Sequence, residues 1–297
     1  MKISCCWMYA IGKYGFPPRL EQMLAAIQEM ADMGFEYIEL EGVGFQNLRD
    51  VVDQRKRLRE AVRRAGVRLA NFAPLLPEII SRDRDLQERA LALFAEGVET
   101  AAYLGSPSVW IDSYLPPLEL LSGKALTQEL AFGQQYRVRV PAEFHWTEFW
   151  EHFVSVVMRC NEIAKEHGVQ LLVEPRVAEV TSNSDALLRL LDVIHDDNLG
   201  VILDTAHQHA QKELLPLSVE KLGQHLRYVH IADNDGLVNR HLEPGAGNID
   251  WEGVFLALKK IGYQGYYAID LERLPDLANR FVASKRFLES YASQFDL

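Results

Sequence analysis

The sequence predicts a single (β/α)8 barrel spanning residues 1–297, and three observations carry that expectation. Strand and helix signals alternate from one end of the chain to the other, giving eight strands each followed by a helix. No linker or shift in composition divides the 297 residues, and that length suits one barrel. No Gly-x-Gly-x-x-Gly turn follows the first strand, as a dinucleotide-binding open sheet would require, so no nucleotide cofactor is expected.

The elements follow in order. Ile3 to Tyr9 reads as strand one. Leu20, Met23, Leu24, Ile27, Met30 and Ala31 form the apolar stripe of a helix over 20–33, stopped by Gly34. Residues 35–40 alternate as strand two, with Glu41 and Gly42 at its end. A helix over 48–65 stops at Gly66, and strand three covers 67–73 before Pro74. A long helix over 82–104 ends at Gly105, and strand four, 108–111, ends on Asp112. Residues 113–146 then carry Pro116, Pro117, Gly123, Gly133 and Pro141 and no clear long element. An insertion of that length in a regular α/β chain is expected to be functional, as a lid. The alternation resumes with a helix over 147–167, strand five at 169–173 and a helix over 184–194. Strand six at 201–203, a short helix at 219–224 and strand seven at 228–231 come next. A helix over 251–261, strand eight at 267–271 and a last helix over 276–294 complete the chain.

Composition narrows the function. The chain is 48% hydrophobic and 25% charged, with a net charge of −11. That charge disfavours a nucleic-acid backbone as partner. The one dense basic stretch, Arg55, Lys56, Arg57, Arg59, Arg63 and Arg64, has helical spacing and reads as a solvated helix face. No apolar run reaches the roughly 20 residues that span a bilayer, and residues 1–7 lack a signal-peptide core. No membrane partner and a cytoplasmic location are expected. Cys5, Cys6 and Cys160 give neither a disulfide framework nor a Cys-x-x-Cys zinc pair, and read as buried thiols.

Four apolar strands deliver a metal-type ligand at or near the C-terminal end. Strand five ends on Glu174, strand six on Asp204, strand seven carries His230 and strand eight ends at Asp270. In a barrel these ends meet on one face, where active sites sit. Three carboxylates and an imidazole form a hard, oxygen-rich set. It suits Mn²⁺ first, with Mg²⁺ and Co²⁺ as alternatives, better than a structural zinc.

The stretches Val173-Glu174-Pro175, Leu203-Asp204-Thr205-Ala206-His207, Val229-His230-Ile231-Ala232-Asp233 and Pro244-Gly245-Ala246-Gly247-Asn248-Ile249-Asp250-Trp251 resemble the xylose isomerase-like sugar isomerase/epimerase barrels. Residues 262–270 continue the likeness. That group includes ketose 3-epimerases, inosose dehydratases and endonuclease IV-type nucleases. The resemblance implies that Glu174, Asp204, His230 and Asp270 bind one divalent metal. Asp270 stands where the family has glutamate and is one methylene shorter. Glu272, two positions on, shares its strand face and could compensate.

The implied chemistry is proton removal beside a sugar carbonyl through a metal-stabilised ene-diolate. Proton return to the opposite face gives epimerisation, return to the neighbouring carbon gives isomerisation, and loss of a β-substituent gives elimination. Glu174 is the expected base and metal ligand, with Asp270 as its partner. The leading expectation is therefore an isomerase or epimerase of a sugar or sugar derivative. A lyase on the same scaffold, either an inosose-type dehydratase or a deglycosidase of 3-keto-glycosides, is the alternative, and a non-catalytic sugar-binding barrel is a minor one. In the lyase reading His145 supplies the acid for the leaving group. A nuclease would need more histidines and a basic face.

Several residues are assigned to the substrate. His207 falls in the Asp-x-x-His pattern that the family uses near the sugar. Arg240, ahead of the Pro-Gly-x-Gly turn, is expected to hydrogen-bond sugar oxygens. Trp7 and Trp110, read as strand residues, either stack on a sugar face or fill the barrel. Glu143, His145 and Trp146 close the insertion and suit a lid over a polyol. Asp112 and Glu41 occupy pocket positions without a defined role. No phosphate cradle follows strands seven and eight, so a sugar or glycoside without phosphate is favoured. Oligomeric state is open, with a homo-oligomer, or a second subunit for a deglycosidase, as the options.

Overall fold

Eight parallel strands close into a barrel in this computed structural model, which describes residues 1–121 and 137–297. The strands are β1 (Lys2–Cys5), β2 (Tyr37–Val43), β3 (Arg68–Leu75), β4 (Ser108–Asp112), β5 (Gln170–Glu174), β6 (Leu199–Asp204), β7 (Leu226–Ile231) and β8 (Tyr266–Ile269). Each pairs with its sequence neighbour, and β1 closes the ring against β8 with Lys2 opposite Tyr266 and Cys5 opposite Ile269. The expected (β/α)8 barrel is the observed fold.

Alternation along the strands makes two apolar layers. Leu171, Val173, Val201, Leu203, Val229, Ile231, Tyr267 and Ile269 pack outward in one large cluster with the helices. Cys6, Ala70, Trp110, Leu172, Ile202, Tyr228 and Ala268 form a separate, smaller cluster. The period of two then sets Glu174, Asp204, His230 and Asp270 on the inward face with that smaller cluster. This parity places the predicted ligands together.

The helices are α1 (Met8–Tyr14), α2 (Leu20–Asp32), α3 (Gly44–Asp53), α4 (Arg55–Ala65), α5 (Arg84–Leu104), α6 (Trp146–Glu166), α7 (Ser184–Ile194), α8 (Thr205–Ala210), α9 (Leu215–Leu222), α10 (Trp251–Lys260) and α11 (Leu277–Phe295). Four sequence expectations are corrected. Strand one is shorter than 3–9, because residues 8–14 form α1, and a short apolar run does not by itself separate strand from helix. Trp7 therefore lies at the N-cap of α1, not on a strand. The single helix over 48–65 is two, starting earlier at Gly44 and broken at Gln54. A helix not anticipated, α8, follows β6 directly, and Asp204 caps it. The helix expected from Val219 begins at Leu215, with Pro216 in its first turn.

The insertion after β4 holds one short antiparallel pair, Glu119–Leu120 with Val138–Arg139. The middle of the expected lid, residues 122–136, lies outside the described residues. Among the described residues no helix is long and apolar enough to cross a membrane. All three cysteines are buried and free.

Helix α11 docks through Phe281, which is fully buried and sits edge-on to Tyr9 at 5.4 Å and Phe35 at 6.5 Å. Phe281→Ala is expected to cost about 3–5 kcal/mol in urea unfolding, because the cavity opens between three packed elements. A loss below about 1 kcal/mol would mean that α11 docks by other contacts.

Candidate active site at the C-terminal mouth of the barrel

A cavity of about 500 Å³ opens where the strands end. Its polar lining includes Glu41, Asp112, Glu174, Arg176, His207, His230, His241, Asp270 and Glu272. Its apolar wall includes Met8, Ile11, Phe16, Val43, Leu75, Pro77 and Trp110.

The metal-type residues occupy one corner. Glu174, Asp204 and His230 each offer a ligand atom, all within 4.8 Å of one another, and all three side chains are buried. His230 Nδ1 touches Glu174 Oε1 and lies 3.8 Å from Asp204 Oδ2. Its other nitrogen, Nε2, lies 3.1 Å from Glu39 Oε1. A carboxylate behind the imidazole fixes the ring and leaves Nδ1 for the corner.

Asp204 divides its work between two oxygens. Oδ1 accepts the His207 backbone N–H at 2.7 Å, which caps α8. Oδ2 points into the corner, buried, with no hydrogen-bond partner among the described residues. Asp270 lies just past β8, its N–H donating to the Ile231 carbonyl at 3.0 Å. Its Oδ2 is 3.0 Å from His241 Nδ1, while Oδ1 is buried and unpartnered among the described residues.

Burial raises the Glu174 pKa, with His230 and Arg176 opposing. Burial also lifts Asp204 to about 7, helped by Glu174 and Asp270 and opposed by His241 and His230. Burial works against a charged His230, yet Glu174 and Glu39 outweigh it and raise its pKa. Likewise His241 rises to about 9, because Asp204 and Asp270 overcome its burial. Burial works against a charged Asp270, but His241, His230 and Cys6 together outweigh it and hold the carboxylate low. Buried acceptors without donors, and carboxylates that raise each other's pKa, fit a divalent cation at this corner.

A stability prediction for the metal-free protein follows. Asp204, Glu174, His230 and His241 all hold protons more tightly folded than unfolded, so their stabilisation is present at low pH and lost as pH rises through the folded values. Burial and the neighbouring His241 hold His207 below its usual range, which works the other way near pH 6.5 but is outnumbered. The metal-free protein is expected to melt lower at about pH 8 than at about pH 5, and saturating Mn²⁺ to raise the melting temperature more at the higher pH. An equal metal effect at both would contradict this protonation of Asp204, Glu174, His230 and His241.

The other sequence-predicted residues divide. His207 and Trp110 line the cavity, with the Trp110 ring edge-on to His230 at 5.7 Å. Trp7 does not; it is buried in the layer between strands and helices. Arg240 is exposed outside the lining and donates from Nε to Glu272 Oε1 at 2.6 Å. That contact also ties down Glu272, the expected substitute for a longer Asp270. Glu143 and His145 are exposed and outside the lining among the described residues, and Trp146 stacks on Trp150.

Sequence reasoning missed His241, Glu39 and Arg176. His241 is delivered by the loop after β7, which folds back through a bridge between Asp233 and Leu242. Asp233 also accepts from Gly245 N at 2.8 Å and Trp251 Nε1 at 2.9 Å, so the Pro-Gly-x-Gly segment is wound around one carboxylate. A Cβ at Gly247 would collide with the Asn234 carbonyl, which explains the glycine. The available signal for His241 was its place three residues before Pro244-Gly245.

Comparison with known proteins identifies the family of the barrel. The family model described as "Xylose isomerase-like TIM barrel" matches residues 27–291. Fructoselysine 3-epimerase of Escherichia coli O157:H7 is 27% identical over 125 residues, 41% of this chain and 46% of the relative. Inosose dehydratase of Geobacillus thermodenitrificans is 24% identical over 151 residues, 45% of this chain and 51% of the relative. The chain thus spans about half the length of these curated relatives. Among solved structures, the IOLI protein with a bound zinc atom superposes with a TM-score of 0.71 at 19% identity, covering 99% of each chain. The match across residues 27–291, on a closed eight-stranded barrel, places the chain in the xylose isomerase-like TIM barrel family.

Proposed function

We propose that the protein is a divalent-metal-dependent isomerase or epimerase that moves a proton beside the carbonyl of a sugar or sugar derivative. The observation that carries this reading is the buried Glu174, Asp204 and His230 corner with Asp204 Oδ2 unpartnered among the described residues, at the end of a substrate-sized cavity. Those three residues hold the cation, Mn²⁺ in our reading with Mg²⁺ or Co²⁺ as alternatives, and Asp270 sits beside them. A divalent cation supplies electron withdrawal from a carbonyl and stabilises the negative charge left when the neighbouring carbon loses a proton. The epimerase name of the Escherichia coli relative and the zinc of the IOLI structure support the assignment.

Glu174 is the base. Its Oε1 faces His230, and its Oε2 makes no hydrogen bond among the described residues, so a proton acceptor remains available. Trp110 and the apolar wall exclude water from that edge. His207 and His241, their rings 4.8 Å apart, orient the substrate oxygens. Asp270 is engaged by His241 and is a poor second base. Glu41 takes that role instead. Its buried carboxyl lines the same cavity and makes no hydrogen bond among the described residues. Burial, then Glu39, Asp270, Asp112 and Glu174, push its pKa well up, the direction that suits a proton donor.

The same donor role for Glu41 favours a second reading, elimination of a hydroxyl from a keto sugar or keto cyclitol, in line with the inosose dehydratase relative. His145 is exposed and outside the cavity lining formed by the described residues. The two readings separate in deuterated water with Mn²⁺-loaded protein and a panel of neutral ketoses and inososes, followed by NMR. Deuterium at a carbon of inverted configuration supports epimerisation. An unsaturated or dehydrated product sinks it in favour of the lyase, and neither product from any member sinks both.

A further inference from the structure

The cavity has a second polar wall that the metal chemistry does not use. Asp112 ends β4 on the same rung as Glu174, to which it is the direct ladder neighbour. Arg176 stands two residues beyond Glu174, and its Nη1 donates to Asp112 Oδ2 at 2.8 Å. This contact is single, where a fork-to-fork pair would make two. Arg176 Nε and Asp112 Oδ1 are left without partners among the described residues. The Arg176 side chain lines the cavity and is about one-third exposed, and its guanidinium has more N–H donors than the one bond to Asp112 uses.

The wall is held in place from behind. Glu179 accepts from Tyr114 N at 2.8 Å and from Ser113 Oγ at 3.2 Å. Ser113 Oγ in turn accepts the Thr181 N–H at 2.9 Å. These bonds lock the loop after β5 onto the loop after β4. Tyr114 is kept at φ 59°, a left-handed conformation that costs an aromatic residue energy and persists only where surroundings impose it.

We propose that Arg176 and Asp112 form a specificity subsite that grips two neighbouring hydroxyls of an uncharged polyol end, beside the proton-transfer corner. A donor fork next to a carboxylate matches a vicinal diol, whose hydroxyls both accept and donate. An anionic end fits badly. The one arginine among the described lining residues already faces Asp112, and beside the three histidines the wall carries four more carboxylates, Glu41, Glu174, Asp270 and Glu272. The subsite rests on the sugar reading above and deepens it, from sugars in general to those without a phosphate or carboxylate at that end.

The test is isothermal titration of Mn²⁺-loaded protein with D-fructose and with D-fructose 6-phosphate. Wild type is expected to bind fructose at least about tenfold tighter than the phosphate. Arg176→Leu is expected to weaken fructose about tenfold or more, the worth of a hydrogen bond to a charged group. Asp112→Asn is expected to narrow or reverse the preference, because it frees the arginine charge for the phosphate. Thermal melts check that the variants fold. Should Arg176→Leu fail to fold, Arg176→Lys, which keeps the charge and loses the fork, is expected to weaken fructose binding by several fold. A wild type that prefers the phosphate, or a folded Arg176 variant with unchanged fructose affinity, overturns the subsite alone. A wild type that binds neither compound overturns the sugar reading and the subsite with it.

Discussion

Glu174→Gln is expected to lower the rate of proton exchange into a substrate by about a thousandfold, the middle of the range for a positioned general base. Glutamine keeps the shape of the side chain and a carbonyl oxygen toward His230. It cannot take a proton. The buried surroundings that raise the glutamate pKa also raise its basicity, so the loss falls on a stronger base than an exposed glutamate. Deuterium incorporation measured by NMR on the Mn²⁺-saturated variant separates this from weakened metal binding. A variant that exchanges within a few fold of wild type at saturating metal would move the base elsewhere, with Glu41 as the next site to change.

Asp204→Asn is expected to weaken Mn²⁺ binding by at least about a hundredfold, since even residues that only support a ligand are worth 10–100-fold. The substitution is informative because the two oxygens of Asp204 do different things. Asparagine still accepts the His207 N–H and caps α8, so the fold is retained. Only the anionic oxygen at the corner is lost. Asp204→Ala removes both, and is expected to add about 1 kcal/mol of destabilisation from the missing cap. Titration calorimetry with Mn²⁺ and urea unfolding of the two variants resolve the effects. Equal metal affinity in wild type and Asp204→Asn would remove Asp204 from the ligand set.

Much of this was legible in the sequence, for a definite reason. Strands buried on both faces write themselves as apolar runs, and a charge at the end of such a run has few innocent explanations. Glu174, Asp204 and His230 were therefore visible one strand at a time, and the barrel closure brings them together. Met8 and Tyr9, the start of α1, read as the end of strand one because a short apolar run has no period that favours strand over helix. The break at Gln54 has no glycine or proline to announce it.

Loop-borne residues were the less visible part. His241 meets Asp270, 29 residues away, only because Asp233 winds the intervening segment back on itself. Arg176 meets Asp112, 64 residues earlier, because β4 and β5 are ladder partners. In the other direction, Glu143 and His145 looked like lid chemistry by composition. They lie just ahead of α6, which is anchored by Phe149, Trp150 and Phe153, and this sets them outside the cavity. Arg240 was placed near sugar oxygens, but Glu272 engages it.

The account stands on one divalent ion at the barrel mouth. Crystals grown in Mn²⁺ and measured at a wavelength where manganese scatters anomalously test it directly. The expected result is a single strong peak per chain, roughly 2.0–2.6 Å from oxygens of Glu174 and Asp204 and from His230 Nδ1. A saturated crystal with no peak at that corner, or with its peak on other residues, would contradict the metal site and the proton chemistry built on it.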